Sequence, residues 1–86
     1  MDISVELTLL PLQDDYETPI INFIKALRES KFRVVETALS TQVFGDYDEL
    51  MSFLTQQIKT SFENFDLGLL HIKLVKTDLS DYEPHF

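Results

Sequence analysis

Apolar and polar side chains alternate strictly over residues 3–9, with the period of two that a β-strand buried on one face requires. The apolar members of this run are Ile3, Val5, Leu7 and Leu9. Ser4, Glu6 and Thr8 separate them and must point to the other side. Pro11 should end the strand, because proline has no N–H to donate to a neighbour. The chain therefore needs an apolar layer packed against one face of this first strand.

Apolar residues recur at helical spacing within residues 14–30 and predict a first helix. Asp14 or Asp15 can cap the start of this helix, or Thr18 can cap it with Pro19 at the first helical position. We expect the helix to end near Ser30. Its apolar stripe consists of Ile20, Ile21, Ile24 and Leu27, with Phe23 beside it.

Residues 32–38 and 41–44 carry β-branched and aromatic side chains, which predict a second and a third strand. The turn between them, at residues 39–40, lacks the Asn-Gly or Asp-Gly pair of a tight hairpin, so we expect a bulge or a longer loop. Asp46 and Glu49 have the spacing of a capping box and predict the start of a second helix. Residues 67–75 alternate again and predict a fourth strand.

The predicted order of elements is β-α-β-β-α-β. Two right-handed crossovers joined by a hairpin give an α+β, ferredoxin-like fold, a four-stranded antiparallel sheet with both helices on one face. A chain of 86 residues with 44% hydrophobic residues is sufficient for one core. We therefore predict a single domain over residues 1–76, followed by a loosely held C-terminal tail over residues 77–86.

The sheet face without helices should carry a mixed set of side chains. If the first strand turns Ile3 inward, Glu6 and Thr8 point away from the helices. The fourth strand should add His71 and Lys73 to the same face, with Leu69 and Val75. The second strand adds either Val35 and Thr37 or Val34 and Glu36, and the sequence leaves both open. Such a surface suits a partner subunit with a small ligand at its margin.

Each candidate residue also has a purely structural interpretation. Glu6 can simply pair across strands with Lys73. Ser40 and Thr41 can stabilise the turn through backbone hydrogen bonds. His71 can be an ordinary surface or interface histidine. Both interpretations of each residue stay open at this point.

Charge and composition exclude several classes of partner. The formal net charge is −8, and the seven Lys and Arg residues are scattered, so we expect neither nucleic acid nor an anionic membrane as a partner. The chain has no cysteine, which excludes disulfides and thiolate ligands. We see no secretory signal and no apolar run long enough to span a membrane, and we expect a cytoplasmic protein.

Enzyme motifs are not visible. No nucleophile-elbow glycines flank Ser40, and Gly45 stands alone where a phosphate loop would need several glycines. The acylphosphatase variant of this fold would need an arginine in its first loop, which reads Gln13-Asp14-Asp15 instead. Two widely separated histidines make no zinc signature, so we predict no metal site and no catalysis.

Two short segments resemble a known family. Leu9-Leu10-Pro11-Leu12-Gln13-Asp14-Asp15-Tyr16 and Leu39-Ser40-Thr41, followed by Gly45, are similar to the two motifs of the Ykof-type thiamine/hydroxymethylpyrimidine-binding domain. Glu6-Leu7-Thr8-Leu9-Leu10-Pro11-Leu12 also resembles the beginning of a related family of single-domain thiamine-binding proteins. The similarity runs over roughly residues 3–75.

The resemblance implies non-catalytic binding of thiamine or its hydroxymethylpyrimidine moiety, in salvage or delivery. Thiamine would be the ligand, with no further cofactor. By position, the implied ligand residues are Glu6, Thr8, Ser40 and Thr41, with Gly45 allowing close approach of the backbone. Ykof-type chains contain two such domains in tandem, so this single domain would form a homodimer or homotetramer through its sheets.

The chemistry of these residues is compatible with thiamine, which joins an aminopyrimidine to a cationic thiazolium. Glu6 can accept from the amino group or offset the positive charge. Phe44 or His71 can lie against a ring. Leu10 departs from the tandem family, which tends to have tyrosine there. A structural or regulatory oligomer of the same fold, without this ligand, is the alternative.

Overall fold

A computed structural model describes residues 1–85, so Phe86, the last residue of the predicted tail, lies outside the described residues. The described residues form four strands and two helices in the predicted order. They are β1 (Asp2–Pro11), α1 (Glu17–Arg28), β2 (Arg33–Glu36), β3 (Thr41–Asp46), α2 (Tyr47–Phe62) and β4 (Gly68–Lys76).

The four strands form one antiparallel sheet in the spatial order β2-β3-β1-β4. Each helix connects two strands that are separated in the sheet by a third, which is the arrangement of the ferredoxin-like fold. The predicted fold class is therefore confirmed. Strand β1 is central, and β4 forms one edge along its whole length.

A single core fills the space between the sheet and the two helices. Leu27 of α1 and Leu50 of α2 have no exposed surface, and Val5 beneath them is 1% exposed. Ile3, Val5, Leu7 and Leu9 of β1 are all buried, which confirms the prediction that they face the core. The buried core cluster consists of Ile3, Val5, Leu7, Leu9, Phe23, Leu27, Val43, Leu50 and Leu54.

The register of the strands decides which side chains share a face. Glu6 lies directly between Gln42 of β3 and Lys73 of β4, so these three side chains point away from the helices. Val35 pairs with Gln42 and belongs to the same side, whereas Val34 faces the core. This settles the alternative that the sequence left open for β2. We call this side of the sheet the bare face.

An aspartate lies near the start of each helix, but only Asp46 of α2 occupies the N-cap position, because the N-cap of α1 is Tyr16, whose side chain makes no capping hydrogen bond. The Asp15 carboxylate accepts hydrogen bonds from the Thr18 N–H at 3.2 Å and from the Thr18 hydroxyl at 3.0 Å. Thr18 itself is already inside α1, so it does not cap the helix. The Asp46 side chain accepts from the Glu49 N–H at 3.2 Å, as the capping-box spacing predicted.

The β2–β3 connection is longer than a tight turn. Thr37 donates its N–H to the Ser40 carbonyl at 2.9 Å and closes a loop over residues 37–40. Strand β2 consequently ends at Glu36, two residues earlier than predicted. The prediction of a longer loop is confirmed, and its cause is the absence of residues that favour a two-residue hairpin turn.

Strand β4 is only partly covered. Ile72 and Leu74 point to the helix side, as predicted, yet 49% and 48% of their surfaces are exposed. The core cluster is built on β1 and β3 and includes only Leu70 of β4 as a peripheral member. The helices therefore leave the edge strand open. Within residues 1–85, neither helix is long and apolar enough to cross a membrane.

Candidate functional site

The carboxylate of Glu6 lies near the middle of the bare face. Ser40 donates its hydroxyl hydrogen to Glu6 Oε2 at 2.9 Å. Lys73 Nζ lies 3.7 Å from Glu6 Oε1 on the other side. The Glu6 side chain is 38% exposed, so the carboxylate is still accessible to a third group. One acidic group is thus positioned by its neighbours and open to solvent.

A cavity of about 150 Å³ lies beside this carboxylate, and we call it the Glu6 cavity. Its wall combines the Glu6 carboxylate with the ring of Phe44 and the amide of Gln42. The complete lining is Ser4, Val5, Glu6, Gln42, Phe44, Lys73, Val75 and Leu79. A negative charge next to an aromatic ring is a combination that suits a small organic cation.

A second cavity of about 250 Å³ lies under the β2–β3 loop, and we call it the loop cavity. Its lining includes the hydroxyl-bearing residues Thr8, Ser40 and Thr41, and α1 adds Phe23 and Ile24. The described residues that line it carry no charge. This cavity can hold an apolar ring and a few hydrogen-bonding groups, but it offers nothing to balance an ionic charge.

The structure divides the predicted site residues between the two sides of the sheet. Glu6, Thr8, Ser40, Phe44 and His71 belong to the bare face. Thr41 and Gly45 pair with Leu7 and Ile3 and point to the helix side. Glu6 and Thr41, both implied by the resemblance as ligand residues, therefore lie on opposite sides of the sheet. Thr41 reaches the loop cavity from the core side and is 7% exposed.

Gly45 has a structural explanation. A Cβ atom at this position would lie 2.6 Å from Cδ1 of Phe32, far inside the van der Waals contact distance. The ring of Phe32 in turn packs against Phe53 with a centroid distance of 5.4 Å. The absence of a side chain at Gly45 thus makes room for a core ring, and Gly45 lines neither of the two cavities.

His71 lies opposite Thr8 on the edge strand β4 and is exposed. It lines neither the Glu6 cavity nor the loop cavity. Its predicted role stays a prediction.

The observed contacts test the purely structural interpretations of Glu6 and Ser40. Glu6 does pair with Lys73, as that interpretation expected. Lys73 is 72% exposed, and an exposed ion pair of this kind contributes only ~0–1 kcal/mol, so a competing cation can replace it. The backbone of Ser40 does stabilise the turn, because its carbonyl accepts from the Thr37 N–H and its N–H donates to Thr37 Oγ1. The Ser40 hydroxyl takes no part in this and donates to Glu6 instead.

The C-terminal segment contributes a wall that the sequence did not indicate. Ser4 Oγ donates to the Thr77 carbonyl and accepts from the Leu79 N–H, both at 2.8 Å. Arg33 reaches Asp81 at 3.0 Å. Residues 77–81 of the predicted tail are therefore attached to the sheet by these contacts. Ser4 lies two residues before Glu6 on the same face of β1, so the sequence could have predicted it as a residue of the site. No periodic pattern marks Leu79.

No group of three or more histidine, aspartate or glutamate side chains in residues 1–85 is close enough to hold a metal ion. Asp78, in the C-terminal segment, accepts hydrogen bonds from the hydroxyl and the N–H of Ser80, and these lower the pKa of its carboxyl. The Asp78 carboxylate is therefore engaged in a local turn with Ser80. Asp78 does not line the Glu6 cavity.

Comparisons with solved structures identify similar folds. Protein SP2199 from Streptococcus pneumoniae matches with a TM-score of 0.84 and 26% identity, over 93% of this chain and 91% of that one. A Thermotoga maritima protein, provisionally assigned to thiamine biosynthesis or salvage, matches with a TM-score of 0.80 and 14% identity, over 90% and 85%. A domain of unknown function from Bacillus cereus matches with a TM-score of 0.75 and 15% identity, over 90% and 77%.

No family model matches the chain, and no curated protein matches it. At 14% and 15% identity, the Thermotoga and Bacillus likenesses show a shared fold and nothing more.

Proposed function

We propose that this protein binds thiamine, or its hydroxymethylpyrimidine moiety, on the bare face of the sheet and performs no chemistry on it. The observation that carries the proposal is the accessible Glu6 carboxylate, held by Ser40 at 2.9 Å beside a cavity that also contains the Phe44 ring. We propose a role in salvage or delivery in the cytoplasm.

The chemistry of thiamine matches this arrangement in two ways. The exocyclic amino group of the pyrimidine is a hydrogen-bond donor. A carboxylate is a strong acceptor for such a donor, because the hydrogen bond is charge-assisted. The thiazolium is a delocalised cation, which gains from a nearby negative charge and from the face of an aromatic ring. Glu6 supplies the charge, and Phe44 supplies the ring.

The Ser40–Glu6 hydrogen bond connects a residue that lines the Glu6 cavity to one that lines the loop cavity, and Thr8 shares the bare face with both. A ligand of two linked rings can therefore contact Glu6 with its cationic end and the hydroxyls of Thr8 and Ser40 with its neutral end. This orientation places the positive charge where the only carboxylate of either lining is found. His71, opposite Thr8, would border the neutral end.

Two further observations support the proposal. The sequence motifs resemble those of thiamine-binding domains, and a Thermotoga protein of the same fold has been provisionally assigned to thiamine biosynthesis or salvage. The hydroxyl of Ser40 donates to a carboxylate and not to a histidine, which is not the arrangement of an activated nucleophile. This supports binding without catalysis.

We further propose that the protein works as a homodimer or homotetramer, and that sheets form the contacts. Ile72 and Leu74 support this, because large apolar side chains half exposed on an edge strand are typical of a surface that a partner covers. The same side chains favour the second candidate function, a structural or regulatory oligomer without this ligand. The two candidates differ in whether the bare face binds a small molecule.

A thermal-shift screen of thiamine, hydroxymethylpyrimidine and thiamine diphosphate tests the proposal. A ligand that binds only the native state raises the melting temperature, and the rise continues with the logarithm of the ligand concentration above its Kd. We expect thiamine or hydroxymethylpyrimidine to raise it in a concentration-dependent way. If all three compounds leave the melting temperature unchanged at millimolar concentration, the oligomer without this ligand is the better account.

A further inference from the structure

We propose that the segment Thr77–Tyr82 is a movable wall of the Glu6 cavity, and that Ser4 is the positioning residue that closes it. We call this segment the tail strap. The proposal deepens the proposed function, because it names how access to the ligand site is controlled. Its main test, however, does not depend on the identity of the ligand.

The hydroxyl of Ser4 makes two hydrogen bonds to the strap at once. It donates to the Thr77 carbonyl and accepts from the Leu79 N–H, both at 2.8 Å. Ser4 is 7% exposed and lies on β1 two residues from Glu6, so the strap is attached to the same strand that carries the acidic group. Both bonds depend on one small side chain.

Leu79 is the part of the strap that enters the cavity wall, where it joins Glu6 and Phe44. Beyond Leu79 the strap crosses toward the opposite edge of the sheet, because Asp81 forms an ion pair at 3.0 Å with Arg33 of β2. The strap therefore runs from β4 over the central strands to β2. A ligand in the Glu6 cavity would lie against it.

The strap has its own internal structure. Asp78 accepts from the Ser80 N–H at 2.8 Å, and Tyr82 donates its N–H to the Leu79 carbonyl at 3.1 Å. These local bonds do not depend on the sheet. The strap can consequently leave the sheet as one folded turn, without first losing its own hydrogen bonds.

Thr77 connects the strap to β4 and has a φ of 148°. This backbone region is strained for a β-branched residue, and such a conformation persists only where surrounding contacts hold it. The contacts that hold it here are the Ser4 hydrogen bonds on its C-terminal side and the hydrogen bond from its own N–H to the Val75 carbonyl at 3.1 Å. Loss of the two Ser4 bonds leaves Thr77 with the local Val75 bond and lets its backbone relax, so Thr77 is the natural hinge of the strap.

Thiol labelling of a single introduced cysteine tests this directly, because the natural chain has none. Val75→Cys places a thiol in the lining of the Glu6 cavity at little cost in volume. We expect Ser4→Ala in this background to raise the labelling rate on the order of tenfold, since it removes two hydrogen bonds of the closed state. Ser52→Cys on the exposed surface of α2 is the matched control and should label at one rate in both backgrounds.

The ion pair provides a second test that does not disturb the buried serine. Asp81→Arg should raise Val75→Cys labelling by about twofold, and adding Arg33→Asp should restore the original rate by reversing the pair. Both side chains are exposed, so neither change threatens folding. Unchanged labelling in Ser4→Ala, with the native fold retained by circular dichroism, would overturn the proposal. If Ser4→Ala does not fold, an unchanged labelling rate in Asp81→Arg would overturn it instead.

Thiamine kinetics separate this proposal from the proposed function. If thiamine binds, Ser4→Ala should increase both its association and dissociation rates, and unchanged rates would overturn the strap as a gate to the ligand. If thiamine binds neither protein while the labelling rates respond as expected, the strap is supported and the assignment of the ligand fails.

Discussion

The hydroxyl of Ser40 donates a 2.9 Å hydrogen bond to the carboxylate of Glu6, although the two residues are 34 positions apart in the chain. This bond attaches the β2–β3 loop to the bare face of β1. It also fixes the direction of the carboxylate beside the Phe44 ring. The proposed binding of an organic cation depends on that one oriented charge.

Lys73 should compete with a cationic ligand, because its ammonium lies 3.7 Å from the Glu6 carboxylate. We expect Lys73→Met to tighten thiamine binding by about twofold to fivefold, which corresponds to the loss of one exposed ion pair. Calorimetric titration at low and at high salt measures the effect, which salt should reduce. Lys59→Met on α2 is the control. Weaker binding in Lys73→Met would mean that the lysine holds the ligand.

Thiamine should bind at least about tenfold more tightly than thiamine diphosphate, because the added negative charge meets a carboxylate in the site. The chain as a whole also carries a formal net charge of −8, which disfavours an anion. Calorimetry with both ligands under one set of conditions measures the ratio. Tighter binding of the diphosphate would show that Lys73, and not Glu6, determines the preference.

Gly45→Ala should destabilise the fold by about 1–3 kcal/mol, because the new methyl group overlaps the ring of Phe32. Urea unfolding measures the change. A double-mutant cycle with Phe32→Ala supplies the control, since the cost of Gly45→Ala should shrink when the ring is absent. An equal cost in both backgrounds would refute Phe32 as the reason for glycine at this position.

Asp46 should make stability depend on pH. The N–H of Glu49, with the N-terminal ammonium, holds the pKa of the Asp46 carboxyl below its usual range. Because the folded state lowers this pKa, the stabilisation is present above the unfolded value and is lost as the pH falls through the folded one. Wild type should therefore lose more unfolding free energy between pH 7 and pH 3 than Asp46→Asn, which keeps the cap without the titrating charge. Parallel losses would contradict this.

The sequence predicted the fold because each element has its own local signal. The alternation through Leu7 and Glu6 defined both faces of β1, and the Asp46–Glu49 spacing marked the start of α2. The side on which Thr41 lies could not be predicted in the same way. Strand β3 is short and carries apolar residues on both faces, with Val43 inward and Phe44 on the bare face, so only the register with β1 decides.

The tail strap was missed for a different reason. Its attachment depends on Ser4, more than seventy residues earlier, and on backbone groups of Thr77 and Leu79 that any residue would offer. No side-chain periodicity accompanies such a contact. The candidate site could therefore be located to one strand and one loop from sequence, but its cavity wall required the three-dimensional arrangement.

Calorimetric titration of thiamine into wild type, Glu6→Gln and Glu63→Gln tests the central claim most directly. Glu63 is an exposed carboxylate at the end of α2, so its change matches the loss of charge without touching the bare face. We expect wild type and Glu63→Gln to bind alike, and Glu6→Gln to bind at least about tenfold more weakly with an unchanged urea midpoint. Equal affinity of Glu6→Gln and wild type would contradict the account.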